Sequence, residues 1–417
     1  MSALLIKNLA QIATPTGKGL KKGKAMGDIT IFEDGAIYME DGLIRLVGTT
    51  ADVCGRVDET KCNVMDGTGK CALPGFVDSH THFVFGGYRH EEFVKRLEGA
   101  TYMEIMKMGG GIQNTVNATR KASFEELAES GKKRLSLMLR QGVTTVEGKS
   151  GYGLDLDCEI KQLKVMKALN EAQPVDVAAT FLGAHAVPPE YKNREDEFID
   201  YLIAEVLPAV KEQDLAEFCD IFCEEGVFSV EQSGKLLLAA REMGFTPKIH
   251  ADEIVSLGGG ELAAEVGAIS ADHLLRVSEK GIEDLAAKDV TATLLPCTAF
   301  CLNKPYAPAR ELIDRGCGVA VASDFNPGSC FACSIPLIFA TSVIHMKMTI
   351  EETLTAMTLN GAAALNRAGS IGSIEAGKKA DIVLLQYPDY RFLVYHTGSP
   401  VVDTVIKSGK VVFKDEY

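Results

Sequence analysis

Gly75-Phe76-Val77-Asp78 is a short apolar strand that runs straight into Ser79-His80-Thr81-His82. Side chains alternate in direction along an extended segment, so His80 and His82, two residues apart, point the same way and can reach one ion. The same theme, a short apolar strand and then a longer helical pattern, continues for nearly three hundred residues. Seven further strands follow: Thr144 to Glu147, Val175 to Phe181, Cys219 to Cys223, Pro247 to Ile249, Ala268 to Ala271, Thr291 to Leu295 and Gly318 to Ala322. Between them, apolar residues recur at three- and four-residue spacing over Phe124 to Leu139, Glu159 to Leu169, Val230 to Ala240 and Glu279 to Ala286.

Eight such units predict an α/β fold, a (β/α)8 TIM barrel spanning residues 71–370; a doubly wound open sheet is the structural alternative. The two ends differ in character. Residues 1–70 hold strand-like pieces broken by turns, over Gly27 to Phe32, Gly35 to Met39 and Gly42 to Gly48, and residues 371–417 repeat the pattern in Ala380 to Leu385 and Val405 to Phe413. Neither end can build a sheet with protected edges by itself. The two are expected to combine into one small composite β-sandwich domain.

In a barrel of this kind, reactive groups sit after the carboxyl ends of the strands. Strand one ends in His80-Thr81-His82, strand three in Gly183-Ala184-His185, strand five in His250-Ala251-Asp252-Glu253, strand six in Asp272-His273 and strand eight in Ser323-Asp324. Five of the eight histidines therefore lie at one end of the barrel. A histidine at a strand end is ordinarily just hydrogen-bonded, but five together are expensive to bury unless they are used. Neutral imidazoles suit a borderline cation, and His250 with the oxygen of Asp324 could complete a site with a position open for water.

Composition narrows the function classes. A net charge of -14, with only Lys21-Lys22-Gly23-Lys24 as a basic tract, argues against nucleic acid. Met1 to Ala13 has no charged segment ahead of an apolar stretch, and no run approaches the ~20 apolar residues of a membrane span, so a cytoplasmic protein is expected. The eleven cysteines are odd in number and scattered, which favours reduced thiols. Cys297/Cys301 and Cys330/Cys333 lack the second pair that a structural zinc site requires.

Leu73 to His82 resembles the opening signature of the metal-dependent amidohydrolase superfamily, and Gly377-Lys378-Lys379-Ala380-Asp381-Ile382-Val383 its closing segment. More specific stretches are Phe85-Gly86-Gly87-Tyr88-Arg89, Gly109-Gly110-Gly111-Ile112, Glu147 to Leu154, Gly183 to Tyr191, Lys248 to Glu253 and Ser323 to Ser329. Over nearly the whole chain they are similar to the branch that hydrolyses 4-imidazolone-5-propanoate to N-formimidoyl-L-glutamate in histidine degradation. The resemblance implies one divalent or trivalent metal ion per subunit, zinc or iron, held by His80, His82, His250 and Asp324. It further implies substrate contacts from Arg89, Tyr152, His185 and Glu253, with Asn326, Gly328 and Ser329 touching substrate or product. Strand four ends in Cys223-Glu224-Glu225-Gly226, without the carboxylated lysine common in two-metal members, so His273 is expected to handle protons and not to bind metal. A homodimer is the usual assembly for such enzymes.

These roles are chemically coherent. A metal-bound water can ionise near neutrality, Asp324 or His273 can take its proton, Glu253 can hold the ring nitrogens, and His185 can donate to the developing oxyanion. Arg89 offers a planar fork for the propanoate. Lys149 has three readings, an anion site, a carboxylated metal bridge or a structural ion pair. The triple glycine 109–111 is expected to be a flexible loop over the barrel mouth, and Met103, Met106 and Met108 are expected to pack. The rival function is a deaminase of a purine, pyrimidine or related ring; a non-enzymatic metal-binding barrel is the other class.

Overall fold

The computed structural model describes residues 3–100, 104 and 110–415. Five strands precede the barrel: β1 (Ala3–Pro15), β2 (Ile29–Glu40), β3 (Leu43–Thr49), β4 (Asn63–Asp66) and β5 (Cys71–Pro74). The barrel is built from β6 (Phe76–Asp78), β7 (Val143–Lys149), β8 (Asp176–Ala184), β9 (Phe218–Cys223), β10 (Thr246–Ala251), β11 (Ser270–His273), β12 (Thr291–Leu294) and β13 (Val319–Val321). Each barrel strand pairs in parallel with the next. The chain ends in β14 (Ile382–Leu385), β15 (Val402–Lys407) and β16 (Lys410–Lys414).

The ring closes just beyond β6 and β13. Asp324 N donates to His80 O at 3.0 Å and His82 N donates to Phe325 O at 2.9 Å, with a parallel bridge between Thr81 and Phe325. Below this seam the buried Asp78 carboxylate accepts Ser323 N at 2.9 Å and Ser323 Oγ at 2.6 Å. The expected helices form with slightly longer bounds: Phe124–Arg140, Leu156–Ala172, Val230–Glu242 and Glu279–Ala287. Local chemistry sets their starts. Ser123 with Glu126, and Ser229 with Gln232, make reciprocal capping boxes that satisfy otherwise orphaned amides.

The two chain ends form one mixed sheet in the order β16-β15-β14-β5-β1-β2-β3, with β4 also on β1. The sheet curls so that Ile44 N reaches Lys378 O and Gly377 N reaches Ile44 O, in the manner of a sandwich. Ile6, Leu9, Ile12, Ile37, Ile44, Ile382, Leu384 and Ile406 fill the enclosed core. Lys407 Nζ, 2.7 Å from Asp381 and 2.9 Å from Asp176 of β8, ties sheet to barrel.

Two expectations about the ends need correction. The terminal sheet also takes Cys71–Pro74, because β5 pairs with β1 and β14; the boundary lies four residues beyond the expected 70. The break expected between the pieces Gly27 to Phe32 and Gly35 to Met39 does not separate two strands, since β2 runs through it. Asp34, at φ 48°, and Asn8 of β1, at φ 60°, sit where the β1–β2 register shifts, so one long strand bends through an irregular pair. All eleven cysteines are free, and no helix among the described residues is long and apolar enough to cross a membrane.

Gly75 joins sheet to barrel, and a Cβ there would meet Thr144 Oγ1 at 2.3 Å. Gly75→Ala should therefore destabilise the protein by about 1–3 kcal/mol through overpacking, read as a lower denaturation midpoint at unchanged metal content. An unshifted midpoint would show that Thr144 gives way freely.

Candidate metal centre and active site

His80, His82, His250 and Asp324, expected as metal ligands, come together at the carboxyl end of the barrel. One nitrogen from each of the three histidines lies within 4.8 Å of the others. Asp324 Oδ1 is 3.6 Å from His80 Nε2 and 3.7 Å from His82 Nε2. All four residues are buried, and His80 Nε2 and His250 Nε2 have no hydrogen-bond partner. Buried acceptors left orphaned on converging rings are costly unless a cation satisfies them. The donor set, three imidazoles and one carboxylate, fits zinc or iron.

What aims these rings is a layer of charge one step deeper in the barrel. His80 Nδ1 is 2.7 Å from Asp272 Oδ2, and His250 Nδ1 is 2.9 Å from Asp220 Oδ2. Each contact fixes the far nitrogen toward the centre, as carboxylates behind metal-binding histidines commonly do. Burial drives His80 and His82 well below the ordinary imidazole pKa, which keeps them neutral and able to bind metal. Burial acts on His250 in the same sense, but Asp220 outweighs it and raises its pKa. Asp324 accepts Thr298 Oγ1 at 2.6 Å on one oxygen and Asn326 Nδ2 at 3.0 Å on the other. Burial raises the Asp324 pKa, partly offset by His273 and by the Thr298 hydroxyl.

His273, expected to handle protons, and Glu253, expected to hold the ring nitrogens, are neighbours. His273 Nδ1 lies 3.7 Å from Glu253 Oε1. Burial lifts Glu253 to about 7 and pushes His273 down to about 4. Their placement uses unusual backbone: Asp252, His273, Leu274 and Asp324 all have positive φ. Asp252 compensates by accepting the amides of Leu257, Gly258, Gly259 and Gly260, which pins the turn carrying Glu253.

His185 stacks on His82 with centroids 4.9 Å apart and planes 16° from parallel. Its Nδ1 is 3.1 Å from Gly151 O. A carbonyl only accepts, so Nδ1 carries the proton and Nε2 is left as an acceptor. Burial lowers the His185 pKa to about 3 and keeps the ring neutral. The expected donation to an oxyanion would need a second ring proton, which this neutral tautomer does not carry. Tyr152 is buried 5.8 Å from the His82 ring and 5.3 Å from His185. Glu159 holds its loop by accepting the amides of Gly151, Gly153 and Leu154.

Arg89 reaches the loop after β13. A Cβ on Gly328 would lie 2.1 Å from an Arg89 Nη atom, so a side chain there would push the guanidinium aside. Arg89 Nε donates to Glu92 at 3.0 Å, which leaves the Nη edge as a fork. The side chain of Asn326 is turned inward: its Nδ2 donates to Asp324 and Ser329 Oγ, and its Oδ1 accepts the amides of Gly328 and Ser329. It therefore braces the loop. Gly109 and the three methionines of the 101–109 stretch lie outside the described residues; Gly111 N donates to Glu92.

Sequence reasoning left Asp220, Asp272, Thr298, Glu159 and Asp252 without a role. Asp220 had a signal, an acid inside the apolar run Phe218–Cys223. Lys149 is resolved among its three readings as a fully buried ion pair, with Nζ 2.9 Å from Glu147, 2.7 Å from Asp220 and 3.2 Å from Asp272. Burial alone would favour the neutral amine, but Asp220, Glu147 and Asp272 overcome it and hold the pKa above the ordinary lysine value.

Residues 71–412 match the amidohydrolase family. The chain is 56% identical over 414 residues to an imidazolonepropionase of Clostridium tetani, covering 99% of each chain. It is 57% identical over 410 residues to that of Parabacteroides distasonis, covering 98% of this chain and 99% of the relative. Among solved structures it resembles the guanine deaminase of E. coli, with TM-score 0.76, 14% identity and full coverage of both chains. It also resembles an atrazine chlorohydrolase of Arthrobacter aurescens, with TM-score 0.73, 16% identity and coverage of 99% and 96%. These two likenesses speak to the fold alone.

Thr298 touches no proposed substrate group and acts only through Asp324. Thr298→Val should keep the fold and weaken metal binding by roughly 10- to 100-fold, measured by competition with a chromophoric chelator. Unchanged affinity would show that Asn326 alone orients the carboxylate.

Proposed function

This chain belongs to the amidohydrolase family, and we propose that it hydrolyses the cyclic amide of 4-imidazolone-5-propanoate to N-formimidoyl-L-glutamate. The observation that carries this reading is the near full-length match to curated imidazolonepropionases. Likeness to ring deaminases stops at the fold, so the deaminase alternative has less support. The same reading makes the protein a cytoplasmic homodimer acting in histidine degradation.

His80, His82, His250 and Asp324 would hold a single zinc or iron ion. When bound, such an ion supplies Lewis-acid chemistry, lowering the pKa of water and polarising the ring carbonyl. The remaining work falls to the side chains around it. Glu253, held near neutrality by burial, can take up or release a proton at its carboxylate within the working pH range. His273 and Asp324 are the other proton acceptors within the same buried cluster. His185 Nε2 accepts a hydrogen bond from a ring N–H, and Tyr152 beside it closes that wall against water. The Nη edge of Arg89 pairs with the propanoate.

Purified enzyme with 4-imidazolone-5-propanoate should lose the ring chromophore without releasing ammonia; ammonia would point to deamination. His82→Ala and Asp324→Ala should abolish turnover. Arg89→Ala should cost about 30- to 1,000-fold in kcat/KM, or ~2–4 kcal/mol, at unchanged metal content. Arg89→Lys should recover little, since a point charge lacks the fork. An analogue without the carboxylate should be slow already and nearly insensitive to Arg89→Ala. Equal losses on both compounds would mean that Arg89 supports the loop and not the substrate.

A further inference from the structure

Among the described residues, a second group could hold a metal ion: His80, Glu147 and Asp272, whose ligand atoms also lie within 4.8 Å of one another. The Lys149 ammonium already stands there, 2.9 Å from Glu147 Oε1, 2.7 Å from Asp220 Oδ2 and 3.2 Å from Asp272 Oδ2. All four residues have no exposed surface. Two carboxylate oxygens, Glu147 Oε2 and Asp272 Oδ1, are buried with no hydrogen-bond partner, so the cage has more acceptor capacity than the lysine uses. Lys248 Nζ, 3.2 Å from Glu147 Oε1, is the other cation in contact with this cage. Three buried carboxylates thus face two ammoniums, and losing one of these would leave two negative charges unbalanced in a medium that tolerates them poorly.

The cage also connects to the metal centre through single atoms. Asp272 Oδ2 is 2.7 Å from His80 Nδ1 and 3.2 Å from Lys149 Nζ. Asp220 Oδ2 is 2.9 Å from His250 Nδ1 and 2.7 Å from Lys149 Nζ. A cation at this point is one oxygen away from two ligand histidines. We propose that the Lys149 ammonium is a built-in occupant of a second cation site, and that its presence limits this chain to one metal ion. The inference rests on the one-metal reading of the centre above it.

Metal-free wild type and Lys149→Ala, both full length, would be reconstituted with excess manganous ion and dialysed. Elemental analysis should give about one ion per chain for the wild type and about two for the variant, because a divalent cation satisfies the carboxylates that lysine leaves. The two ions should be close enough for a magnetically coupled pair in the electron paramagnetic resonance spectrum. Adding Glu147→Gln to Lys149→Ala should return the count to one without removing the first ion. A folded Lys149→Ala protein that holds one ion, or two without magnetic coupling, overturns the proposal. Should the variant fail to fold metal-free, refolding with and without manganous ion decides: recovery only with excess metal supports the second site, and no recovery at any metal concentration overturns it. Two ions in the wild type would instead refute the one-metal reading itself.

Discussion

Two backbone hydrogen bonds, Asp324 N to His80 O and His82 N to Phe325 O, hold the barrel's seam shut. The strands they join, β6 and β13, are three residues each and do not pair directly with one another. The closing contact is therefore made by the segments that carry three of the four candidate ligands, His80, His82 and Asp324. This explains why Asp324 takes a positive φ that most residues avoid: the peptide must donate to β6's continuation while the carboxylate turns inward. Aspartate tolerates that conformation better than a branched residue would.

Below the seam, an interior that an ordinary core would fill with aliphatic side chains holds Glu147, Lys149, Asp220, Lys248 and Asp272. Such burial is costly, and a well-packed apolar set of the same volume would often be no less stable. The arrangement makes sense as orientation. His80 and His250 each have two nitrogens, and the carboxylate behind each ring, Asp272 or Asp220, decides which one faces the centre. The lysines in turn hold those carboxylates ionised, so that the choice survives burial. Chemistry at the mouth thus depends on electrostatics one layer deeper, where no substrate reaches.

How much of this was legible in the chain follows from the range of each interaction. The eight strands could be read because each carries its own apolar run, and candidate ligands could be named because they stand at the ends of the first, fifth and eighth barrel strands. Partners across the barrel could not. His80 and Asp272 are 192 residues apart, and nothing near either announces the other. The resemblance implies Asn326 as a substrate or product contact; that its amide also binds Asp324 and Ser329 follows only from the loop's closure. The strand β1 was missed because both of its faces are largely buried, which erases the alternation that marks a strand. The tautomer on which the donor role expected of His185 depends is set by Gly151 O, thirty-four residues away.

Arg89 shows how the same logic extends to specificity. A protein with a net charge of -14 does not attract an anionic substrate by its overall field. Nor is Arg89 an unpaired charge, since its Nε is bound to the buried Glu92. Glu92 is itself held by Gly111 N and Asn114 Nδ2, so its charge is partly answered elsewhere. What remains for a carboxylate is a guanidinium fixed at one edge and free at the other, with Gly328 leaving room beside it. In the proposed role, recognition would come from planarity and placement more than from net charge, because two parallel N–H bonds can form only when both planes align. A lysine in that position would keep the charge and lose the alignment, and a side chain at 328 would displace the guanidinium from its present place.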